Sequence, residues 1–353
     1  MRERLSWAVC RLNVCLAMYQ VEEARIVEEI RRRRSKRVLL QMPEGLKPLG
    51  FRLAKLLEGQ EGVEVFLSGD PCYGASDLAL GPKSHVEADL LVHIGHAQIP
   101  GEFPEESVFF VEARANARID DLIEEVARML KSEHTIGLAS NVQHIHQLDI
   151  AKGILEKKGK VVLIGRATGW LRYPGQILGC DYGSVRAIAD KVDAIVVLSG
   201  GEFHALGIPL ATGKRTIVVD PFQRTAQDMT EICRKLLRKR WINIEKFRGA
   251  KRVGIIVGLK SSQMNIALAR RLKQLLEENG QAAILICATE VIPETLESFV
   301  DLEAYVEVSC PRISTDDQER YRKPILNPEE LMIALGRKSW EDYTKGMTLE
   351  EWH

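Results

Sequence analysis

The stretch "KRVGIIVGLKSSQMNIALARRLKQLLEENGQAAILICATE", residues 251–290, decides the fold class. Two apolar runs rich in Val, Ile and Ala flank a segment whose leucines and alanines recur at helical spacing. Neither run alternates with polar residues, which is typical of strands that are buried on both faces of a parallel sheet. A strand, helix, strand unit of this kind predicts an α/β fold with parallel sheets.

The same pattern recurs along the chain. Strand-like runs include "KRVLLQMP", "VEVFLSGDPC", "ADLLVHIGH", "SVFFVEA", "HTIGLAS", "KVVLIGRA", "DAIVVLSGGE", "RTIVVDPF" and "AYVEVSCP", with helical patterns between several of them. Because the unit begins afresh near Arg37, His134 and Lys251, we predict three similar Rossmann-like domains. Their predicted ranges are 1–133 with a lead-in helix, 134–232, and 233–353 with the hinge "RKLLRKRWINIEKFRGAK" and a C-terminal tail.

Composition gives no sign of nucleic acid or membrane as the principal partner. The 353 residues are 45% hydrophobic, and Lys plus Arg and Asp plus Glu each total 49, so the formal charge is balanced. The first segment, "MRERLSWAVCRLNVCLAMYQ", is interrupted by Arg11 and Asn13 and has no small-residue cleavage site. We therefore expect an amphipathic lead-in helix and a cytoplasmic protein.

The basic run "RRRRSKR", residues 31–37, resembles a nucleic-acid patch only in isolation. It ends the helical pattern "VEEARIVEEIRRRR", which starts with acidic residues. Acidic residues at the start and basic residues at the end complement the helix macrodipole. We interpret the run as the end of a helix.

Three of the seven cysteines lie just after predicted strands, one in each unit: Cys72, Cys180 and Cys310. The carboxyl ends of parallel strands form the ligand-binding edge of such sheets, so three thiols there are expected to converge. Their wide spacing differs from the close CxxC pairs of zinc fingers. The fold itself, and not a single loop, must therefore assemble any metal site.

The local sequences around these cysteines favour a metal cluster. Glycine and proline surround them in "SGDPCYGASD", "GQILGCDYG" and "VSCPRIS", so the backbone can approach a bulky ligand and hold a fixed turn. Three thiolates suit a [4Fe-4S] cluster with one iron left open, although any single buried cysteine can be inert packing. The remaining thiols, Cys10, Cys15, Cys233 and Cys287, lie in helical or apolar settings and receive no function.

Five motifs together resemble a known family: "LLQMPEGL", "SGDPCYGASD", "GQILGCDYG", "GLKSSQ" and "VSCPRIS". The chain after about Gln20 resembles the archaeal diphthamide-synthesis enzymes, the 2-(3-amino-3-carboxypropyl)histidine synthases, which are unusual radical S-adenosylmethionine proteins. The resemblance implies three similar α/β domains, a homodimer, and one [4Fe-4S] cluster bound by Cys72, Cys180 and Cys310.

The resemblance also implies a reaction, the first step of diphthamide formation on translation elongation factor 2. The reduced cluster would cleave the bond between sulfur and the methionine γ-carbon of S-adenosylmethionine and release methylthioadenosine. The resulting 3-amino-3-carboxypropyl radical would add to carbon 2 of a histidine imidazole. Such chemistry requires an electron donor, which the sequence does not identify, and a cofactor that carries single electrons.

Candidates for binding the methionine carboxylate lie in "GLKSSQ" and near Cys310. Ser262 and Gln263 lie between a strand and a helix expected to start near Met264, where backbone amides favour an anion. Lys260 would add positive charge, and Arg312 offers a bidentate contact or tunes the cluster by its charge.

Structural roles explain two of these candidates as well. Ser262 is suited to cap the following helix, and Arg312 to pair with Asp316 or Asp317.

Four further residues lie on the expected ligand edge. Asp70 and Tyr73 flank Cys72 and either orient its loop or approach the substrate, while an Asx turn and a packed ring explain them nearly as well. His96 and His204 follow strand-like runs and suit a base, but lone histidines are more often structural. We assign no catalytic residue from the sequence.

Three alternative functions remain open at this stage. A quinolinate-synthase-like dehydratase also uses three α/β repeats and a three-cysteine cluster, whose open iron acts as a Lewis acid. A noncatalytic or electron-relay subunit of a heterodimer would keep the fold without the reaction. A small-molecule binding module without metal would leave the three thiols in the core.

Overall fold

The structure of the chain is a computed structural model that describes residues 18–101, 103, 106–315 and 317–345. The expected lead-in helix, with Cys10 and Cys15, lies outside these residues except at its end, where Tyr19–Val21 is a strand. The strands are β1 Tyr19–Val21, β2 Arg37–Gln41, β3 Glu64–Leu67, β4 Leu90–Ile94, β5 Val108–Val111, β6 Ala113–Ala115, β7 Thr135–Ser140, β8 Val161–Ile164, β9 Ala194–Leu198, β10 Arg215–Asp220, β11 Thr225–Asp228, β12 Arg252–Gly258, β13 Ala282–Ala288, β14 Ala304–Glu307 and β15 Ile325–Leu326.

Helices connect most of these strands. The α-helices are α1 Glu23–Arg33, α2 Gly50–Glu61, α3 Leu80–His85, α4 Asp120–Met129, α5 Leu148–Lys157, α6 Gly183–Arg186, α7 Ile208–Thr212, α8 Thr230–Arg248, α9 Ile266–Glu278, α10 Pro293–Glu297, α11 Pro311–Thr315, α12 Pro328–Ala334 and α13 Trp340–Lys345. Short 3₁₀ turns cover Glu44–Leu49, Val142–Gln147, Ala189–Lys191, Ser261–Gln263 and Gln318–Arg320.

Three sheets repeat one strand order. They run β3-β2-β4-β5, β8-β7-β9-β10-β11 and β13-β12-β14-β15, and all their pairs are parallel except β10 with β11. Within each unit the second strand therefore lies beside the first, and the third and fourth follow on the other side. The predicted α/β class with parallel sheets is confirmed, and the shared order is what three similar units require.

The domain boundaries at 133/134 and 232/233 stay predictions. Each sheet lies within one predicted range, but the second boundary falls inside α8. The expected hinge is the body of this 19-residue helix. The helix that contains Cys233 begins at Thr230, whose N–H is accepted by the Asp228 carboxylate at 2.9 Å, because the preceding residues form β11 and pair with β10.

The central strands explain the apolar runs of the sequence. Every residue of β4 and β9 is buried, as parallel strands covered on both faces require. The basic run ends α1 as expected, where Arg31 pairs with Glu61 and Arg32 and Arg33 pair with Glu29. Among the described residues, no helix combines the length and apolar character needed to cross a membrane.

Candidate functional site

The candidate site lies at the carboxyl ends of the strands, where the strand order of each sheet reverses. Such a switch point leaves a crevice between the first and third strands of a unit. Cys72 follows β3, Cys180 lies in the long connection after β8, and Cys310 follows β14. Cys310 therefore leaves from the third strand of its unit, whereas Cys72 and Cys180 follow the second strand.

The Cys72 loop is fastened to the third sheet through Lys260. The Lys260 ammonium lies 2.8 Å from the Asp77 carboxylate and 2.7 Å from that of Glu290. It also lies 4.4 Å from the centre of the Tyr73 ring, whose hydroxyl donates to Glu290. Asp77 in turn accepts the Tyr73 N–H at 3.1 Å, so one lysine orders the turn that presents Cys72.

Burial dominates the acidity of two of the site thiols. Cys72 is 5% exposed, and burial, with the Asp77 charge, raises the pKa of its thiol to about 12. Burial, with the neighbouring Cys310 thiol, likewise raises the pKa of Cys180 to about 12. A thiolate at either position therefore requires a compensating positive charge, such as a bound metal.

Cys180 and Cys310 lie in one neighbourhood with Arg312. The charge of Arg312 opposes the rise in the pKa of Cys180, and its guanidinium carbon lies 3.5 Å from the centre of the Phe203 ring. The same ring lies against Gly179, where an added Cβ would come within 2.7 Å of it. Only glycine lets the backbone before Cys180 pack this closely.

Two histidines connect this neighbourhood to Cys72. Burial, with the charges of Arg312 and His96, lowers the pKa of His204 to about 3. His96 belongs to a close group in which the Cys72 Sγ and one ring nitrogen each of His93 and His96 lie within 4.8 Å of one another. Electrostatic interactions thus link the group of Cys72 and His96 to His204 and Arg312, and Arg312 to Cys180.

His93 was missed by sequence reasoning. It occupies the fourth position of β4, and in the sequence it cannot be distinguished from the other residues of a buried strand. The available signal was the spacing "HIGH", which brings a second histidine three residues later to the same strand end. Its partner Gln41 carried no signal of its own, because it lies in a strand run that is otherwise apolar.

The candidate ligand residues in "GLKSSQ" have different surroundings. Lys260 has two carboxylate partners within the chain, as described above. Ser262 does not cap α9, because Asn265 does so by accepting the Leu268 N–H at 3.0 Å. The helix begins at Ile266, so Ser262 and Gln263 belong to the preceding 3₁₀ turn.

Arg312 is buried, at 7% exposure, against Phe203. Of its two expected carboxylate partners, Asp316 lies outside the described residues, and the Asp317 carboxylate pairs with Arg320 at 3.3 Å. Around Cys72, the carbonyl of Asp70 accepts a hydrogen bond from Lys47. Tyr73 is 63% exposed, so its ring faces solvent beside Lys260.

Several buried hydroxyl and amide oxygens at the strand ends have no hydrogen-bond partner within the described part of the chain. These are the side-chain oxygens of Ser68, Ser140, Asn141 and Ser262. They lie at or after the carboxyl ends of β3, β7 and β12, which belong to the first, second and third units. Since buried polar groups are normally satisfied, this arrangement suits a polar ligand.

The two remaining described thiols lie elsewhere. Cys233 is buried in α8, and its Sγ donates to the Leu206 carbonyl at 3.1 Å. Cys287 is exposed on β13, the edge strand of the third sheet. Neither contributes to the strand-end site.

Comparisons with known proteins agree with the geometry. The chain matches the diphthamide synthesis protein family over residues 42–344. It is 37% identical over 329 residues to the 2-(3-amino-3-carboxypropyl)histidine synthase of Pyrococcus horikoshii, covering 92% of this chain and 93% of that protein. It is 30% identical to subunit 1 of the Caenorhabditis elegans synthase, with 97% and 88% coverage.

A solved structure shows the same fold. The crystal structure of Dph2 from Pyrococcus horikoshii with a 4Fe-4S cluster superposes with a TM-score of 0.82 and 37% identity, and the match covers 91% of this chain and 92% of that one. The resemblance inferred from the five motifs is confirmed. The chain belongs to the diphthamide synthesis protein family.

Proposed function

We propose that this chain is a 2-(3-amino-3-carboxypropyl)histidine synthase that transfers the 3-amino-3-carboxypropyl group of S-adenosylmethionine to a histidine of translation elongation factor 2. The observation that supports the proposal is the position of three thiols after strands of three units, where Cys180 and Cys310 interact with each other and Cys72 lies beside His96. The name of the Pyrococcus horikoshii relative supports the same reaction.

The donor set fits a [4Fe-4S] cluster. Three thiols from three different units would hold three irons and leave one open for an exchangeable ligand. The related Pyrococcus horikoshii protein was crystallised with such a cluster. When bound, the cluster supplies the single electron that breaks the sulfur to γ-carbon bond of S-adenosylmethionine.

The chain's own residues position and shield this chemistry. Lys260 holds the Cys72 turn against the third sheet through Asp77 and Glu290. We assign Ser262, whose buried hydroxyl lacks a partner, and Gln263 to the carboxylate of S-adenosylmethionine. Arg312 adds a positive charge beside Cys180, which favours an anionic cluster or carboxylate there.

We further infer that the protein acts in the cytoplasm as a homodimer and takes its electron from a separate donor. The experiment that tests the function is anaerobic incubation of the reduced, cluster-loaded protein with S-adenosylmethionine and elongation factor 2. Methylthioadenosine and a factor whose histidine has gained the 3-amino-3-carboxypropyl group are expected. An intact, reducible cluster that releases no methylthioadenosine would favour the dehydratase or a partner-dependent subunit.

A further inference from the structure

A chain of three buried side chains ends beside Cys72, and its hydrogen-bond direction is set by the backbone. It starts at Gln41, the last residue of β2, which is 2% exposed. The Gln41 amide nitrogen donates to the Asp77 carbonyl at 2.6 Å, and its oxygen accepts the Ala79 N–H at 3.0 Å. Exchanging the two atoms would oppose both contacts, so the amide orientation is fixed.

The fixed amide determines which ring nitrogens carry protons. His93 Nδ1 lies 3.0 Å from the Gln41 oxygen, so this nitrogen is the donor. His93 is fully buried, where a neutral ring is favoured, so with its proton on Nδ1 its Nε2 bears a lone pair. That nitrogen lies 2.9 Å from His96 Nδ1, which must therefore donate.

His96 is consequently left with an unprotonated Nε2. In the neutral ring, the proton on Nδ1 leaves Nε2 as the acceptor. Unlike His93, His96 is partly exposed and can be reached by a ligand. The loop is held by Gly95, whose N–H donates to Val111 at 2.7 Å and whose carbonyl accepts from Gln143 of the second unit at 2.8 Å.

The surroundings favour a neutral, flat donor. The His93 ring lies 5.0 Å from that of Phe110, and the His204 ring lies 4.9 Å from that of Phe203. The charges of Arg312 and His96 both lower the pKa of His204. A further positive charge, such as an ammonium, is therefore disfavoured in this neighbourhood. An imidazole N–H meets the same acceptor without bringing a charge.

We propose that His96 orients the histidine that receives the 3-amino-3-carboxypropyl group, by accepting a hydrogen bond from that histidine's ring N–H at Nε2. This inference rests on the proposed function. The acceptor extends the Gln41, His93 and His96 chain to a third imidazole. It fixes the position and the N–H direction of the substrate ring and therefore limits where carbon 2, which lies between the two ring nitrogens, can be placed.

The test compares two products in one anaerobic reaction with S-adenosylmethionine and elongation factor 2. Methylthioadenosine reports cleavage, and mass spectrometry of the factor reports transfer. In His96→Leu we expect the ratio of modified factor to methylthioadenosine to fall about tenfold, the upper effect of one lost hydrogen bond in orienting a reacting group. His96→Gln, whose amide oxygen replaces Nε2, should recover part of the ratio, and the exposed His85→Gln should match the wild type.

Two readouts independent of turnover accompany the assay. Nitrogen-15 NMR of histidine-labelled protein should show His96 Nε2 without a proton, and the iron content of His96→Leu should equal that of the wild type. Three results would overturn the inference while leaving the proposed function standing: an unchanged ratio, a protonated Nε2, or a variant that loses its iron and forms neither product. A raised KM for S-adenosylmethionine at constant ratio would instead assign His96 to the methionine ammonium, and absence of methylthioadenosine from the wild type would overturn both.

Discussion

The acidity of a cysteine does not distinguish a ligand from a packed thiol in this chain. Burial raises the pKa of Cys72, Cys180 and Cys233 alike to about 12. Position separates them, since Cys233 lies inside α8 and donates to the Leu206 carbonyl, while the other two follow strand ends. Loading a metal at Cys72 and Cys180 must therefore displace protons that burial holds in place.

Single alanine substitutions test this assignment. We expect Cys72→Ala, Cys180→Ala and Cys310→Ala each to lose the cluster and the release of methylthioadenosine, because each of the three thiolates would hold one iron. Cys233→Ala and Cys287→Ala should keep both. Iron and sulfide analysis with visible spectroscopy provides the measurement, and normal iron content in all three site variants would refute the assignment.

The unpartnered hydroxyl of Ser262 leads to a second prediction. Ser262→Ala removes a buried oxygen that forms no hydrogen bond within the described chain, so its thermal unfolding midpoint should stay close to that of the wild type. If the hydroxyl contacts the carboxylate of S-adenosylmethionine, KM for this substrate should rise about tenfold, as for a lost hydrogen bond to a charged group. The exposed Ser84→Ala is the control, and an unchanged KM would remove Ser262 from the site.

At the scale of elements, helix α8 is tied to the third unit by one buried arginine. Arg240 and Glu330 are 1% and 0% exposed and form a two-point ion pair, with Nε to Oε1 at 2.7 Å. Arg240 also donates to Gln318 at 2.6 Å and to the Ile325 carbonyl at 2.8 Å. The helix that the sequence suggested as a hinge is therefore anchored to β15 and α12.

Breaking this pair should destabilise the protein strongly. Arg240→Met leaves the Glu330 carboxylate buried without its counter-charge, which costs about 3–5 kcal/mol in the free energy of unfolding. Urea denaturation measures the loss. Arg238→Met, on the exposed face of the same helix, should change stability by less than about 0.5 kcal/mol, and equal effects of the two substitutions would contradict the anchoring role.

At the scale of the whole molecule, the site makes stability depend on pH. Burial lowers the pKa values of His96 to about 4 and of His204 to about 3, and lowers those of His93 and His144 as well. The unfolded chain binds these protons below about pH 6.5, while the folded chain does not. The stability contributed by neutral histidines is thus complete above pH 6.5 and decreases as pH falls toward the folded values.

Glu307 affects stability in the opposite direction, because burial raises its pKa to about 8 and its contribution to stability is lost as pH rises.

A comparison of variants isolates one histidine from this background. Between pH 7 and 5, His204→Gln should reduce the slope of unfolding free energy against pH by up to about 1.4 kcal/mol per unit, the value for one proton. His85→Gln should keep the wild-type slope, and equal slopes for all three proteins would show that His204 titrates normally.

The sequence suggested most residues of the candidate site, and they stay predictions, because the proposed chemistry is carried by rare residues in turns. Cys72, Cys180 and Cys310 stand out by glycine and proline around a thiol at a strand end. Gln41 and His93 could not be found in this way, since each belongs to a strand, and their role depends on a contact between different strands and a loop. Ser262 stays a proposed ligand residue, and its alternative role as a helix cap is wrong because Asn265 lies closer to the helix start.

The sequence by itself determined the α/β class, the three starts of the strand, helix, strand pattern and the family, because apolar periodicity and local turn motifs are properties of neighbouring residues. Tertiary structure alone decided the pairing of Lys260 with Asp77 and Glu290, the anchoring of α8, and the direction of the Gln41, His93 and His96 chain. These features join residues that are distant in the chain. Burial and hydrogen-bond geometry, which exist only after folding, fix their charge and orientation.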